Sequence, residues 1–542
     1  MSRLLNPATQ ATQVNRVSRV NPGDRSDLLD TRIPLDRPLR ISLLTHSTLP
    51  RGGVVHALEL GDALADAGHH VRLLAPVQAG ESLFRKPKSP RCRFIGIPAT
   101  PVSGDLEALV KQRINDWMRY FETSADAFDT DIFHSQDSIS ANALANLLEQ
   151  HRLRGFVRTV HHLDHFTNPS LAAWQQRGYL HASHVCCVSQ GWKDTLQRDE
   201  GIHAALVCNG VDRARFSPVR DESDVALEAL RFVANSGDTK KKRGPVFLSV
   251  GGIEARKNTL NALAAYTCWR QMYPADRIAP HGQWWIAGGA SLLDHGAYGQ
   301  RFRDLAQAAG LSVGSTLDDA TADIVLLGRV ADAQMPALFR AADALLFPSL
   351  VEGFGLVVLE ALSVGTPVIT SRIPPFTEYL PDAAVVWADP MSAHSIAAAM
   401  CEALVEQPSQ SPSSERAQQR REAGFAVAEQ FSWARSANQH IDLYRSIAMP
   451  EMHFRVRWPD QSLTDCYSPS LVIKDFLAEG ERYPLTTFVD KTREALAIAS
   501  DRVKAKYGFA CSAAADEMAR IESCANRFRE QPDACVTVES FS

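Results

Sequence analysis

The sequence predicts an α/β protein built from two successive doubly wound, Rossmann-like domains, with a small α+β domain behind them. Three observations carry that reading. Short apolar runs alternate with helical periodicity twice over, from about residue 39 to 215 and again from 245. A polar stretch, 219–244, divides the two series. Beyond residue 449 the pattern changes to strict alternation of apolar and polar residues.

The first series opens at "RPLRISLLTHSTLPRGGVVHALELGDALADAGHHVRLLAP". Ile41 to Thr45 reads as a buried strand, the Gly-Gly turn follows, Leu58, Leu60 and Leu64 mark an amphipathic helix, and Val71 to Ala75 gives the next strand. Further strands are expected at Phe94 to Ile97, Asp131 to His134, Gly155 to Val160, His184 to Val188 and Leu206 to Cys208. Residues 38–218 then form an N-terminal domain, and 1–37 a disordered tail. The stretch 219–244, with "NSGDTKKKRG", reads as a solvated linker. Its cations lack the interleaved aromatics of a nucleic-acid site. Residues 245–431 supply the second domain through "VFLSVG", "WWIAGG", "IVLLG", "ALLFPS", "PVIT" and "AAVVWAD". In "FSWARSANQHIDLYRSI" apolar residues recur at helical spacing, and 449–542 form the fused domain, with one long helix from about Thr486 to Lys506.

Composition narrows the function. At 542 residues, 45% hydrophobic and 22% charged, the chain can bury several cores. A net charge of -5 gives no global attraction to nucleic acid or anionic lipid. Ten cysteines without a C-x-x-C pair suggest neither a zinc ribbon nor a disulfide framework, so a reducing cytoplasm fits, and no segment has the length to span a bilayer. The loop "LFRKPKSPRCRF" carries five cations; a solvated surface loop is the preferred reading, with peripheral contact at the inner membrane face the other.

The chemistry concentrates in "LFPSLVEGFGLVVLEALSVGTPVIT". Glu352 falls in the loop at the carboxyl edge of a parallel strand, where open α/β sheets bind ligands. Gly353 and Gly355 allow main-chain N–H groups close to a ligand, and the helix that follows turns its positive end to the same point. Glu360, five residues after Gly355 and about 7.5 Å along the axis, suits a vicinal diol such as a ribose.

E-G-F-G-L-x-x-L-E-A-L-x-x-G-x-P-V resembles the donor-site signature of glycosyltransferase family 4, retaining enzymes of the two-domain GT-B fold. "CCVSQGWKDTL", "VCNGVDRARF", "SVGGIEARKNTLNAL" and "FSWARSANQHIDLY" follow in that family's order, so the resemblance covers roughly 39–447. It implies two domains facing across a cleft, with 432–447 crossing back onto the first. It implies a nucleotide-diphosphate sugar, UDP- or GDP-linked, as co-substrate, with no metal or other cofactor. Arg256 and Lys257 would hold the diphosphate, with Gly353, Phe354, Gly355, Leu356 and Glu360 completing the donor site. Arg256 would stand in for the arginine that many members carry where this chain has Gly252. Glu352 and His161 of "TVHHLDHF" would serve at the reacting centre, with Glu352 orienting sugar hydroxyls or acting as nucleophile. Gly52 and Gly53 of "STLPRGG", with His134 and Asp137 of "DIFHSQD", would face a small-molecule or lipid-linked acceptor; strand-end capping is the alternative for the last two. "DTD" at Asp129 to Asp131 is read as a strand introduction rather than a metal site.

A nicotinamide enzyme fits poorly, because no G-x-G-x-x-G follows the first strand and Val358 stands at the third glycine position of "GFGLVV". A non-catalytic, nucleotide-sugar-binding regulator is the alternative from another class. The C-terminal region resembles a small bacterial family described as nitrogen starvation response proteins, and the fusion suggests a pathway shared with neighbouring genes. Cys466 and Cys511 are expected to be buried small apolar residues.

Overall fold

Residues 36–447 form one unit and residues 448–542 belong to another. The computed structural model describes residues 37–230, 232–233, 241–242, 244–272, 282–289, 296–319, 321–405, 415–448, 452–468, 472–507 and 512–541. The expected tail up to residue 36, most of "NSGDTKKKRG", Met449 and Cys511 lie outside the described residues.

In the first half of the larger unit the apolar runs become β1 (Arg40–Leu44), β2 (His70–Val77), β3 (Cys92–Pro98), β4 (Ile132–Ser135), β5 (Val157–Val160), β6 (His184–Cys187) and β7 (Ala205–Leu206). They pair in parallel in the order β3-β2-β1-β4-β5-β6-β7. A parallel sheet needs helices on both faces, so its strands are apolar throughout; Leu43, Leu44, Val157 and Val160 are fully buried or nearly so. The order reverses between β1 and β4, the place where such sheets open a ligand crevice. Thr45, His46, Gln136 and Asp137 follow those two strands.

After a two-stranded ribbon, β8 (Phe232–Val233) with β9 (Lys241–Lys242), comes the second parallel sheet. Its strands are β10 (Val246–Val250), β11 (Gln283–Ala287), β12 (Val313–Gly314), β13 (Ile324–Gly328), β14 (Ala344–Phe347), β15 (Val368–Ser371) and β16 (Val386–Ala388), ordered β12-β13-β11-β10-β14-β15-β16. Here the reversal falls between β10 and β14, and the loops leaving those strands carry Arg256, Lys257 and the glycine-rich turn after Glu352. The helix Trp433–Ala448 returns to the first half, where the Tyr444 hydroxyl lies 2.6 Å from His134 Nδ1.

The C-terminal unit is an antiparallel sheet, β17 (Met452–Arg457), β18 (Leu463–Ser468), β19 (Arg482–Pro484) and β20 (Cys535–Phe541), ordered β18-β17-β20-β19. Phe454, Val456, Val536 and Val538 point into a core shared with the helices Leu485–Tyr507 and Ser512–Asn526. Trp458 stacks on Phe528 there, at 6.0 Å and 19°. Cys466 is fully buried, and burial pushes its thiol up, out of reach of thiolate chemistry.

Three expectations change. The solvated linker begins instead with a helix, Glu222–Leu230, packed on the helix Met335–Ala341. Arg340 holds it there, with Nε and Nη2 donating to Asp224 at 2.9 and 2.8 Å and Nη2 reaching Asp221 at 2.9 Å. The strand expected from Asp131 starts one residue later, because Asp131 is used as a carboxylate: it accepts from Arg37 and from the Arg40 guanidinium and backbone N–H. "DTD" is thus an anchor for β1. The helix Ser512–Asn526 had no counterpart in the sequence reading.

Arg340→Ala takes from Asp224, 5% exposed, the guanidinium that pairs with both its oxygens and leaves it the Asp221 N–H. It is expected to cost about 3 kcal/mol of unfolding free energy, measured by urea denaturation, with far-UV circular dichroism unchanged in the folded baseline.

Candidate donor and acceptor site

The loops leaving β10 and β14 are laced together. Leu350 N–H donates to the Arg256 carbonyl at 2.9 Å, and the Asn258 amide donates to the carbonyls of Pro348 and Pro390 at 3.1 and 2.7 Å. This brings Lys257 Nζ to 2.6 Å from Glu352 Oε1, with Arg256 Nη1 3.2 Å from the same oxygen. Glu352 is 7% exposed, yet the two cations hold its carboxyl below the usual range, so it is ionised at neutral pH. Lys257 also lies 4.2 Å over the Phe347 ring.

Gly251 and Gly252 make that approach feasible. Gly251 has φ +124, and a β-carbon on it would stand 2.7 Å from Lys257 Cε; Gly252 has φ +77, and its β-carbon would stand 2.9 Å from the Gly289 carbonyl oxygen. An arginine at 252 would be strained in this backbone. Arg256 beside Lys257 supplies the second cation.

Past Glu352, Gly353 packs so closely on the first half that a β-carbon would stand 2.2 Å from the His161 carbonyl oxygen. Gly355 is left-handed, φ +92, against the Phe376 ring. It precedes the helix Leu356–Val364, which has no side-chain cap and no acid in its first turn, leaving its N-terminal amides open to an anion. The Phe354 ring is buried, stacked on Tyr379 at 5.1 Å, so it contributes to the site through its backbone alone. Glu360, on the same helix, has its carboxyl pushed up to about 7 by burial, partly offset by Arg215 and reinforced by Glu59 and Asp332.

Across the cleft, Gly52 opens the helix Gly52–Asp66 with free space beside it, and a β-carbon on Gly53 would touch the His161 ring at 3.3 Å. His161 Nε2 lies 3.1 Å from Gln136 Oε1, and its ring meets His56 edge-on at 4.7 Å. Burial, then the neighbouring His56 and Arg158, keep His161 well below its usual pKa and therefore neutral. Asp137 caps the helix Ser138–Glu149, its Oδ1 accepting from Ser140 N–H at 2.8 Å, while Oδ2 faces His46 Nδ1 at 3.7 Å.

His134 corrects the expectation of an acceptor-facing group. It is fully buried, with Nδ1 bonded to the Tyr444 hydroxyl at 2.6 Å and Nε2 to the Thr159 hydroxyl at 2.7 Å. Nδ1 seats the returning helix and Nε2 ties β4 to β5, so neither nitrogen is left for an acceptor. In the basic loop, Arg85 pairs with Glu59 and, at 3.3 Å, with Asp332 of the second half, and Lys88 pairs with Asp212. These two cations tie elements together.

Sequence reasoning missed Gln136, Asn209, which bonds His56 at 2.8 Å, and Trp192, whose indole N–H donates to the Glu352 carbonyl at 3.0 Å. Two of them lie in stretches quoted for family likeness, but no spacing rule connects residue 192 to 352. Among the described residues no group of three His, Cys, Asp or Glu could hold a metal ion, and no helix is long and apolar enough to cross a membrane.

Two facing doubly wound sheets, with a cation pair and a glycine-bounded helix start on one side of the cleft, define a GT-B glycosyltransferase. The model described as Glycosyltransferase Family 4 matches residues 50–215, that described as Glycosyl transferases group 1 matches 234–420, and that described as Nitrogen starvation-induced protein NitG matches 453–541. The chain belongs to the family-4 type of GT-B glycosyltransferases and carries a NitG domain fused behind it. Among curated relatives, the O-antigen chain mannosyltransferase B of Escherichia coli is 37% identical over 119 residues, 22% of this chain and 29% of that protein. The D-inositol 3-phosphate glycosyltransferase of Salinispora arenicola is 26% identical over 373 residues, covering 63% of this chain and 78% of that one. Solved structures sharing the fold include sucrose-phosphate synthase from Thermosynechococcus elongatus, with TM-score 0.59 and 22% identity over 76% of this chain and 99% of that one. Anabaena HepE in complex with UDP and glucose has TM-score 0.57 and 17% identity over 75% and 100%.

His134→Ala leaves two buried hydroxyls without their partner and is expected to lower unfolding free energy by about 2–4 kcal/mol, read by urea unfolding. His134→Asn, which keeps one polar contact, should lose less.

Proposed function

We propose that the enzyme is a retaining glycosyltransferase that moves a hexosyl group from a UDP- or GDP-linked sugar to a hydroxyl of a small-molecule or lipid-linked acceptor in the cytoplasm. The observation that carries the reading is the junction of Lys257 and Arg256 on Glu352, beside the open helix start at Gly355 and against the His161 backbone. The relatives named for mannosyl and inositol-phosphate chemistry, and the HepE complex with UDP and glucose, support the same substrate class.

In this reading the diphosphate lies between the two cations and the amides that open the helix Leu356–Val364, which stabilise charge growing on the leaving group. The ribose diol binds Glu360. Glu352 holds the cations side by side and orients donor-sugar hydroxyls. His161, neutral, presents its ring and backbone at the sugar face. The acceptor enters over Gly52 and Gly53, with Gln136 and Asp137 at the carboxyl edge of β4. The bond from the anomeric carbon to the diphosphate breaks as the acceptor oxygen bonds on the same face, and the hydroxyl proton passes to the departing phosphate oxygen. The donor's anomeric configuration is retained, and no metal or further cofactor takes part.

Thermal-shift titration with UDP-, GDP- and ADP-sugars tests the donor site. One sugar nucleotide should stabilise the wild type, by about 2.7 kcal/mol at a hundredfold excess over Kd, with Lys257→Ala and Glu360→Ala each losing that shift. No shift with any nucleotide in a folded protein would contradict the proposal.

Nucleotide affinity should also depend on pH. The Glu360 carboxyl, raised from 4.5 to about 7, must ionise to accept two hydrogen bonds from the diol, so affinity should rise between pH 6 and 8. Its contribution to folding runs the other way: present below 4.5 and lost as pH rises through about 7. Calorimetric titration should show the affinity rise in the wild type and its absence in Glu360→Gln.

A further inference from the structure

The helix Gln190–Glu200 in the first half begins without a cap of its own. Ser189 stands at the capping position yet makes no side-chain cap bond, its Oγ is buried without a partner, and the first turn holds no acid. The missing acceptor comes from the other half of the cleft: Glu378 Oε2 accepts from Gln190 N–H and Oε1 from Gly191 N–H, both at 2.8 Å. A carboxylate there satisfies two orphan donors and meets the positive end of the helix. Gly191 leaves room for it, since a β-carbon would stand 3.1 Å from Oε1.

The same two elements also hold the donor loop. Trp192, in the first turn of the capped helix, donates its indole N–H to the Glu352 carbonyl at 3.0 Å. Tyr379, next to Glu378, donates its hydroxyl to the Phe354 carbonyl at 2.9 Å and stacks on the Phe354 ring. The Glu352–Gly353 and Phe354–Gly355 peptide groups are therefore fixed at once, the first from the first half and the second from within the second, and a β-carbon on the Gly353 between them would stand 2.2 Å from the His161 carbonyl oxygen.

We propose that Glu378 is a positioning residue for glycosyl transfer: by capping the helix Gln190–Glu200 it latches the first half onto the second and, through Trp192, sets the backbone from which Glu352 reaches its cations. The inference deepens the transferase reading and rests on it for the meaning of the donor loop. The latch itself needs no ligand. Charge and geometry act together, so glutamine, which keeps one accepting oxygen without the charge, should replace Glu378 only in part.

Hydrogen exchange measured by NMR on the full chain without ligand tests it, following the Gln190 and Gly191 amides and the Trp192 indole proton, the last assigned by its disappearance in Trp192→Phe. The wild type should protect all three. Glu378→Ala should speed their exchange at least tenfold with the melting temperature held within a few degrees, and Glu378→Gln should recover part of the protection. Unprotected amides in the wild type, or an indole proton unchanged in Glu378→Ala, would overturn the proposal. With UDP-glucose as donor probe, Glu378→Ala should lower kcat while leaving KM for the donor within about twofold. Absent turnover with every donor would count against the transferase reading alone, because the exchange result stands without a donor.

Discussion

The second-sheet side of the cleft depends on one ion pair, Lys257 with Glu352 at 2.6 Å, in a place where neither charge is well hydrated. A buried carboxylate without a cation would be protonated or would pull its loop into water. Glu352 is instead held ionised by Lys257 and Arg256, and the pair joins the two loops that leave the central strands of the second sheet. Each neighbouring feature makes room for that contact or fixes it from outside. Gly251 lets the lysine stem pass, Phe347 lies under the ammonium, Asn258 ties one loop to the other, and Trp192 holds the carbonyl of Glu352 from across the cleft.

The rest of the larger unit serves to present that pair to a second surface. Both sheets reverse strand order at the cleft, β1 against β4 in the first half and β10 against β14 in the second, so the irregular loops cluster where the two carboxyl edges meet. The returning helix closes the arrangement through a buried group of rings: His134 bonds Tyr444, His440 lies 5.4 Å from His134, and His56 packs on Trp433 at 5.5 Å. Burial drives His56 down to about 3 and His440 to about 4, so the cluster is uncharged at neutral pH and packs as apolar surface with polar edges. A second set of charges, Arg85 and Arg215 around Asp332 and Glu59, links the halves on the side of Glu360.

Much of this was legible in the sequence because parallel strands are apolar on both faces, and the runs around Leu43, Leu73, Leu248 and Leu345 announce themselves without help from neighbours. The donor loop was legible for a different reason: glycines that only a tight approach requires, followed by a helix, two carboxylates and a cation pair. What escaped depends on contacts between distant residues. His134 reads as a strand-end polar group until a helix 310 residues away in sequence covers it. Asp137 offered capping and acceptor contact equally, and one oxygen does cap, while the other faces His46. The helix Glu222–Leu230 sits in a polar stretch whose order comes from Arg340, more than a hundred residues on. Glu378 looks like an exposed helix-end acid, and only the placement of Gln190 and Gly191 gives it a role.

If the Lys257–Glu352 pair is what the candidate donor site is built around, removing Glu352 must leave two neighbouring cations without their carboxylate, and removing Lys257 must leave the buried Glu352 with Arg256 alone. A double-mutant cycle with Lys257→Met, Glu352→Gln and both together, read as unfolding free energy in urea, measures this directly. The account predicts that each single change costs about 3 kcal/mol and that the double mutant loses at least ~1.5 kcal/mol less than the sum of the two. Additive losses, equal to the sum within about 0.5 kcal/mol, would show that the two charges do not depend on each other and would contradict the account.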